Sequence, residues 1–190
     1  STEQIGVIRF LTSSSLLIAP FIFLGGNNLT IRFFPNFRDD KNGHNGFLFI
    51  ILSLLTLGFL LFTVIALVFQ DTFYSWYESE LIRQFLPYII PMTFFVAYGN
   101  LFSTYAINFK RITVPSVFND LLVKVIQPVL VILFFYELLS FTGVINGVLI
   151  MYGFILVGLV AYIAWLRQLH LRPNFGYLKR PLFLMICLSR

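Results

Sequence analysis

Long apolar stretches alternate with short polar connections along this chain. Each stretch has roughly 20 residues or more, the length that an α-helix needs to cross a hydrocarbon core of about 30 Å. We therefore predict an all-α integral membrane protein with about five transmembrane helices. The predicted spans are residues 10–31, 46–70, 84–109, 114–139 and 143–166.

The fourth stretch, residues 114–139, carries polar side chains in its first half. Asp120, Lys124 and Gln127 follow i, i+4, i+7 spacing, which places them on one face of a helix. A charged side chain at the middle of a membrane helix costs about 2.5–3.5 kcal/mol on insertion scales, so it is normally paired or faces water. Asp120 lies one turn before Lys124 and can pair with it. We therefore predict that this face lines a wet cavity.

A second interpretation of this face is that the helix begins late. Asp120 and Lys124 would then lie at the membrane surface, where a long basic side chain reaches water while its methylene groups stay in the apolar region. Pro128 adds to the polarity in either case, because it leaves the carbonyl of Lys124 without its helical donor.

The first stretch, residues 10–31, is the least regular of the five. Pro20 lies near its middle, and Gly-Gly-Asn-Asn follows at 25–28. These residues favour either a helix that is broken or faces a cavity, or a helix that packs closely against a neighbour through small side chains.

Composition agrees with a membrane protein. Hydrophobic residues make up 58% of the 190 residues and charged residues only 11%, which is far from the balance of a soluble domain. The basic residues are spread over several loops, so the net charge of +5 does not indicate nucleic-acid binding.

Cys187 is the single cysteine, which excludes an intramolecular disulfide and a cysteine-based metal cluster. His44 and His170 each lie in a polar connection, where we expect solvated side chains.

Motifs of catalytic chemistry are absent from the sequence. It contains no Gly-rich phosphate loop and no His-rich motif, and its acidic residues show no spacing that would build a general acid–base pair. We therefore do not expect an enzyme, and we expect neither a metal nor another cofactor.

The charges of the connections predict an orientation. Nine of the 13 Lys and Arg residues fall on one side, which the positive-inside rule places in the cytoplasm. Ser1 then lies outside and Arg190 inside, and we expect one further helix before Ser1. Residues 167–182 predict a cytoplasmic elbow on the membrane surface, followed by an incomplete tail at 183–190. The nine are Arg32, Arg38, Lys41, Lys110, Arg111, Arg167, Arg172, Lys179 and Arg180.

Three segments resemble a known family in their order. They are TEQIGVIR at 2–9, the Gly pair at 25–26 with RFFP at 32–35, and NFKRITVP at 108–115, which leads into the helix with inward polar residues. Together with the loop lengths and the predicted orientation, they are similar to the polysaccharide flippases of the multidrug/oligosaccharidyl-lipid/polysaccharide exporter superfamily, the Wzx-like membrane proteins. The resemblance covers residues 1–182 as part of an N-terminal transmembrane lobe. It implies that the first helix and a second lobe of the same protein complete the transporter.

The resemblance implies transport of a lipid-linked oligosaccharide across the bacterial inner membrane by alternating access, for cell-surface polysaccharides such as lipopolysaccharide. The expected partners are the lipid bilayer and a polyprenyl-pyrophosphate-linked glycan, without nucleic acid. An anionic pyrophosphate requires cationic side chains, for which Lys124, with Asp120 as its neighbour, and Arg32 are candidates. Sugar hydroxyls suit side chains that both donate and accept hydrogen bonds. These candidates are Asn27, Asn28, Asn100, Thr104, Tyr105 and Gln127.

Two other functions fit parts of the pattern. A multidrug or toxin exporter of the same superfamily would use a buried carboxylate for cation coupling, and Asp120 is the one candidate. A membrane assembly protein that transports nothing would need no polar cavity face.

The predicted orientation is testable with single cysteines in a Cys187→Ser background. We expect a membrane-impermeant thiol reagent, added outside the cell, to label Glu80→Cys and to leave Arg111→Cys unlabelled. External labelling at position 111 would contradict the orientation.

Overall fold

The structure is a computed structural model that describes residues 2–23, 26–39, 43–109 and 113–171. The described residues form helices joined by short turns, and no strand occurs among them. The α-helices are α1 (Thr2–Ile22), α2 (Gly26–Phe37), α3 (Phe47–Val68), α4 (Gln70–Ser75), α5 (Glu80–Phe85), α6 (Ile89–Ile107), α7 (Thr113–Ser116), α8 (Val123–Phe135) and α9 (Phe141–Trp165).

Five helices are long and apolar enough to cross a membrane, which confirms the prediction at this level. They cover Glu3–Ile22, Gly43–Val68, Glu80–Ile107, Thr113–Phe135 and Phe141–Trp165. The fourth spanning helix, Thr113–Phe135, consists of α7, a π-helical segment at Val117–Leu122, and α8. The described residues end at Leu171. The predicted elbow from residue 172 onward and the whole predicted tail therefore lie outside them.

The first stretch contains two helices rather than one continuous span. α1 begins at Thr2, eight residues before the predicted start, and ends at Ile22. The amide of Gly26, the first residue of α2, donates to the carbonyl of Phe23 at 2.8 Å. A Cβ at Gly26 would overlap the ring of Phe23, so glycine fits here without displacing that buried ring. Of the two interpretations of this stretch, the structure has the broken helix.

α6 is the central helix of the bundle and packs chiefly against α1 and α9. Each neighbour presents buried positions at helical spacing, such as Leu11 and Ala19 on α1 and Ile155 and Leu159 on α9. α3 instead exposes most of its apolar surface. An exposed apolar helix of this length is suited to contact with lipid.

Glycines set how closely neighbouring helices approach. A Cβ at Gly58 of α3 would overlap the carbonyl oxygen of Ile22, so α3 passes directly over the end of α1. On α9, Gly147 accommodates Leu130, and Gly158 accommodates the ring of Phe118. Small residues at helix contacts allow this close packing in membrane proteins.

An aromatic cluster joins four segments at one end of the bundle, which we call the His44 end. Its centre is the buried Phe34 of α2, whose ring lies 5.1–5.6 Å, between centroids, from four other rings. Such edge-to-face contacts stabilise buried aromatic groups. The four rings belong to His44, Phe47, Tyr105 and Phe109.

The expectation of a solvated His44 is wrong, because its side chain is 0% exposed. Its Nδ1 accepts from the Asp39 amide at 3.3 Å, so Nε2 carries the proton and donates to the Gln168 side-chain oxygen at 2.5 Å. The Gln168 carbonyl accepts in turn from the Tyr105 hydroxyl at 3.2 Å. His170 is half-buried, with its ring 5.7 Å from that of His44. The described residues after α9 therefore pack against His44 and help to bury its side chain.

Replacing Gln168 tests whether its hydrogen bond to His44 stabilises the fold. Gln168→Ala removes the side-chain oxygen that accepts from the buried His44 imidazole, and we expect a loss of about 0.5–1.5 kcal/mol in the free energy of unfolding, the usual net contribution of one hydrogen bond. Thermal unfolding of the detergent-purified protein measures the effect. The control is Gln127→Ala, a half-buried glutamine whose side chain forms no hydrogen bond with the described residues. Equal melting temperatures for the two variants would contradict the role of Gln168.

Candidate functional site

The fourth spanning helix does not begin late. It starts at Thr113, so Lys124 is the twelfth of its 23 residues and lies halfway along it. The alternative, in which Asp120 and Lys124 lie at the membrane surface, concerns the position of the bilayer and stays a prediction. Asp120 lies in the π-helical segment Val117–Leu122 one turn earlier. π-helical turns within α-helices occur frequently at functional sites.

A pocket of about 250 Å³ lies beside this segment, between α1, α6, α8 and α9. Three of the predicted site residues line it together, although they come from different helices. Asn100 comes from α6, Asp120 from the π-helical segment and Lys124 from α8. Asn119 and Tyr152 complete its polar lining. The pocket therefore combines one cation, one carboxylate, two amides and one phenol.

A hydrogen bond anchors the π-helical segment at the edge of this pocket. The Asn119 side-chain amide donates to the Ser103 hydroxyl of α6 at 2.9 Å. Ser103 is buried, so this bond is largely shielded from solvent. It connects the polar segment of the fourth spanning helix directly to the central helix.

The predicted ion pair between Asp120 and Lys124 is not formed. Both side chains are exposed, and no ion pair joins them in the part of the chain that the structure describes. The i, i+4 rule assumes an uninterrupted α-helix, whereas a π-helical turn holds more residues per turn. Gln127, predicted on the same face, is half-buried and does not line the pocket.

The other predicted site residues lie elsewhere. Asn27 accepts from the Thr104 hydroxyl at 3.3 Å, which ties α2 to α6. Tyr105 is fully buried in the aromatic cluster at the His44 end. Asn28 and Arg32 are exposed on α2. Neither of these two lines the pocket.

Sequence reasoning missed Asn119 and Tyr152. Tyr152 carries the one hydroxyl near the middle of the apolar stretch 143–166, which is a recognisable signal. Asn119 directly precedes Asp120 but falls outside the i, i+4, i+7 pattern. It lies in the π-helical segment Val117–Leu122, which no periodicity in the sequence predicts.

The pocket suits one small polar group. Its volume is below the range of about 300–1,000 Å³ that is typical of drug-sized ligands. The ammonium of Lys124 and the amide and phenol donors can bind an anionic oxygen, and the amide oxygens can accept from hydroxyls. Among the described residues, no group of three or more His, Cys, Asp or Glu side chains is arranged to hold a metal ion.

No family model, curated protein or solved structure matches the chain. A proposal of function therefore depends on this pocket and on the helices that surround it.

Thiol accessibility tests whether water reaches the pocket. In a Cys187→Ser background, we expect Lys124→Cys in membrane vesicles to react with a small charged thiol reagent more than about tenfold faster than Val125→Cys, because thiolates form in water. Val125 is a matched control, since it is exposed on the same helix but is absent from the pocket lining. Equal rates at both positions would show that the pocket is dry.

Proposed function

We propose that this chain is part of a multi-pass flippase of the bacterial inner membrane. Its substrate would be a polyprenyl-pyrophosphate-linked glycan, carried by alternating access for cell-surface polysaccharide synthesis. The observation that carries the proposal is the polar pocket at Lys124, halfway along an apolar spanning helix. Charged groups at this depth in membrane proteins are rare and commonly mark a substrate or ion pathway.

The chemistry of the pocket supports a phosphate-bearing substrate. Lys124 supplies a positive charge, and Asn100, Asn119 and Tyr152 supply neutral donors around it. Charge-assisted hydrogen bonds to phosphate oxygens are stronger than neutral ones. The small volume suits a head group, and the remainder of the glycan would extend through the open side.

The open side of the pocket supports a larger assembly. The fourth spanning helix has none of its apolar window buried, and Asp120 and Lys124 are exposed on it. Lipid cannot cover these charges at low free-energy cost, whereas water or protein can. We propose that the second lobe and the first helix of the same protein enclose this face. The substrate pathway would lie between the lobes, with the Lys110-Arg111 connection in the cytoplasm.

A cation-coupled exporter is the second candidate. Asp120 lies in the pocket without an ion-pair partner among the described residues, and the amides of Asn100 and Asn119 offer neighbouring oxygens. A carboxylate in this setting can bind a proton or a monovalent cation. Transport of cationic drugs that is abolished by Asp120→Asn would favour this candidate over the flippase.

Complementation of a flippase-deficient strain with the full-length protein tests the proposal. We expect Lys124→Ala to reduce flipping of the pyrophosphate-linked glycan at least about tenfold, and Lys124→Arg to retain part of the activity because it keeps the charge. Val125→Ala is the matched control and should remain fully active. Activity is compared at equal membrane levels of each variant.

The variants at Asp120 refine this test. Because Asp120 and Lys124 form no ion pair, we expect Asp120→Ala to be milder than Lys124→Ala. An equal loss of activity in Asp120→Ala and Lys124→Ala would indicate that the two charges stabilise each other, since removal of one partner leaves an uncompensated charge. Full activity of Lys124→Ala would overturn the assignment of a substrate-binding lysine and favour an assembly protein.

A further inference from the structure

α1 and α3 diverge and leave an apolar groove between them. The two helices meet where Gly58 passes over Ile22, and they separate toward the end of the bundle that carries Trp76. The groove has a volume of about 230 Å³ and is closed on its third side by the start of α6. Along α1 it runs from Phe10 to Ile18, a length of about 12 Å at the helical rise per residue.

The walls of this groove are almost entirely apolar. Phe10 and Ile18 of α1 face Phe62 and Ala66 of α3 across it, and Ile90 of α6 closes the third side. Ser14 is the one polar residue that α1 contributes. The groove shares no residue with the pocket at Lys124.

Polar groups gather at one end of the groove. Tyr74, Trp76 and Tyr77 lie there, and Gln70 adds a side-chain amide. The ring of Tyr77 packs against Phe10 with 5.3 Å between centroids. Aromatic residues with polar tips are typical of the boundary between hydrocarbon and head groups. A ligand that extends along the groove would therefore have an apolar body and a polar end.

The mouth of the groove continues into exposed apolar surface. Leu67 lines the groove and is 55% exposed, and the neighbouring Val64 and Val68 are also exposed. Apolar cavities do not hold ordered water, and an empty one forfeits dispersion contacts along its whole wall. The helices that form the groove are long and apolar enough to cross a membrane, and in a membrane this mouth would open to lipid, so hydrocarbon is the molecule suited to fill it. We propose that the groove binds one acyl chain of a bilayer phospholipid, with the lipid head group at the Trp76 end.

The two tryptophans of the chain provide the experiment. Trp76 lies at the groove, and Trp165 lies at the end of α9 outside it. The full chain in detergent micelles is titrated with phosphatidylcholine that carries bromine atoms near the ester end of its acyl chains, where the proposed orientation brings them beside Trp76 and they quench tryptophan on contact. In a Trp165→Phe background we expect saturable quenching of Trp76 at one lipid per chain. In a Trp76→Phe background we expect quenching of Trp165 to rise only in proportion to the lipid fraction.

Variants that fill the groove separate a specific site from general contact with lipid. Ala66→Phe and Ser14→Phe each place a ring in the groove, from opposite walls. We expect either variant to raise the lipid concentration at half-saturation at least about tenfold, because close-packed space does not admit a second group. Ala161→Phe, at an exposed position of α9, is the matched control and should leave the titration unchanged.

Two results would overturn the proposal. One is a titration of Trp76 that both filling variants leave unchanged while their melting temperatures stay near that of the parent. The other is a dimer of the parent chain that the filling variants convert to a monomer, which would show that a second copy occupies the groove. Neither readout involves transport, so failure here is independent of the proposed flippase function.

Discussion

An ammonium group halfway along an apolar helix determines how the rest of this protein must be arranged. Lys124 cannot face hydrocarbon without a penalty of several kcal/mol, roughly 2.5–3.5 on insertion scales. Its helix therefore has to turn this face toward protein or water. The structure places Lys124 and Asp120 at the edge of a pocket that also contains polar groups from α6 and α9, and both side chains remain exposed on its open side.

α6 connects this pocket to the rest of the bundle. Asn100, Ser103 and Tyr105 lie within six residues of one another on it, yet each contacts a different region. Asn100 lines the pocket, Ser103 accepts from Asn119, and Tyr105 donates to the segment after α9. Because successive helical residues point in different directions, one central helix can serve all three regions. A change in the tilt of α6 would therefore alter both the pocket and the His44 end.

The helices of the bundle pack differently at its two ends. At the His44 end, aromatic rings and a histidine–glutamine hydrogen bond exclude water and close the helices together. Toward Trp76, α1 and α3 separate and leave space that hydrocarbon can fill. Between these two regions, Gly58 allows α3 to approach the end of α1 closely.

The sequence by itself predicted five helices of spanning length and the charged positions within the fourth of them. Five apolar stretches of sufficient length predict five spanning helices, because the thickness of a membrane is a local requirement on each helix. Asp120 and Lys124 are also recognisable from the sequence, because they are the charged residues at the middle of the fourth apolar stretch. Only the tertiary structure decided that His44 is buried, that Tyr152 and Asn119 join the pocket, and that Gln127 does not. Those outcomes depend on helix rotation, on glycine contacts between distant residues and on one π-helical turn, none of which leaves a period in the sequence.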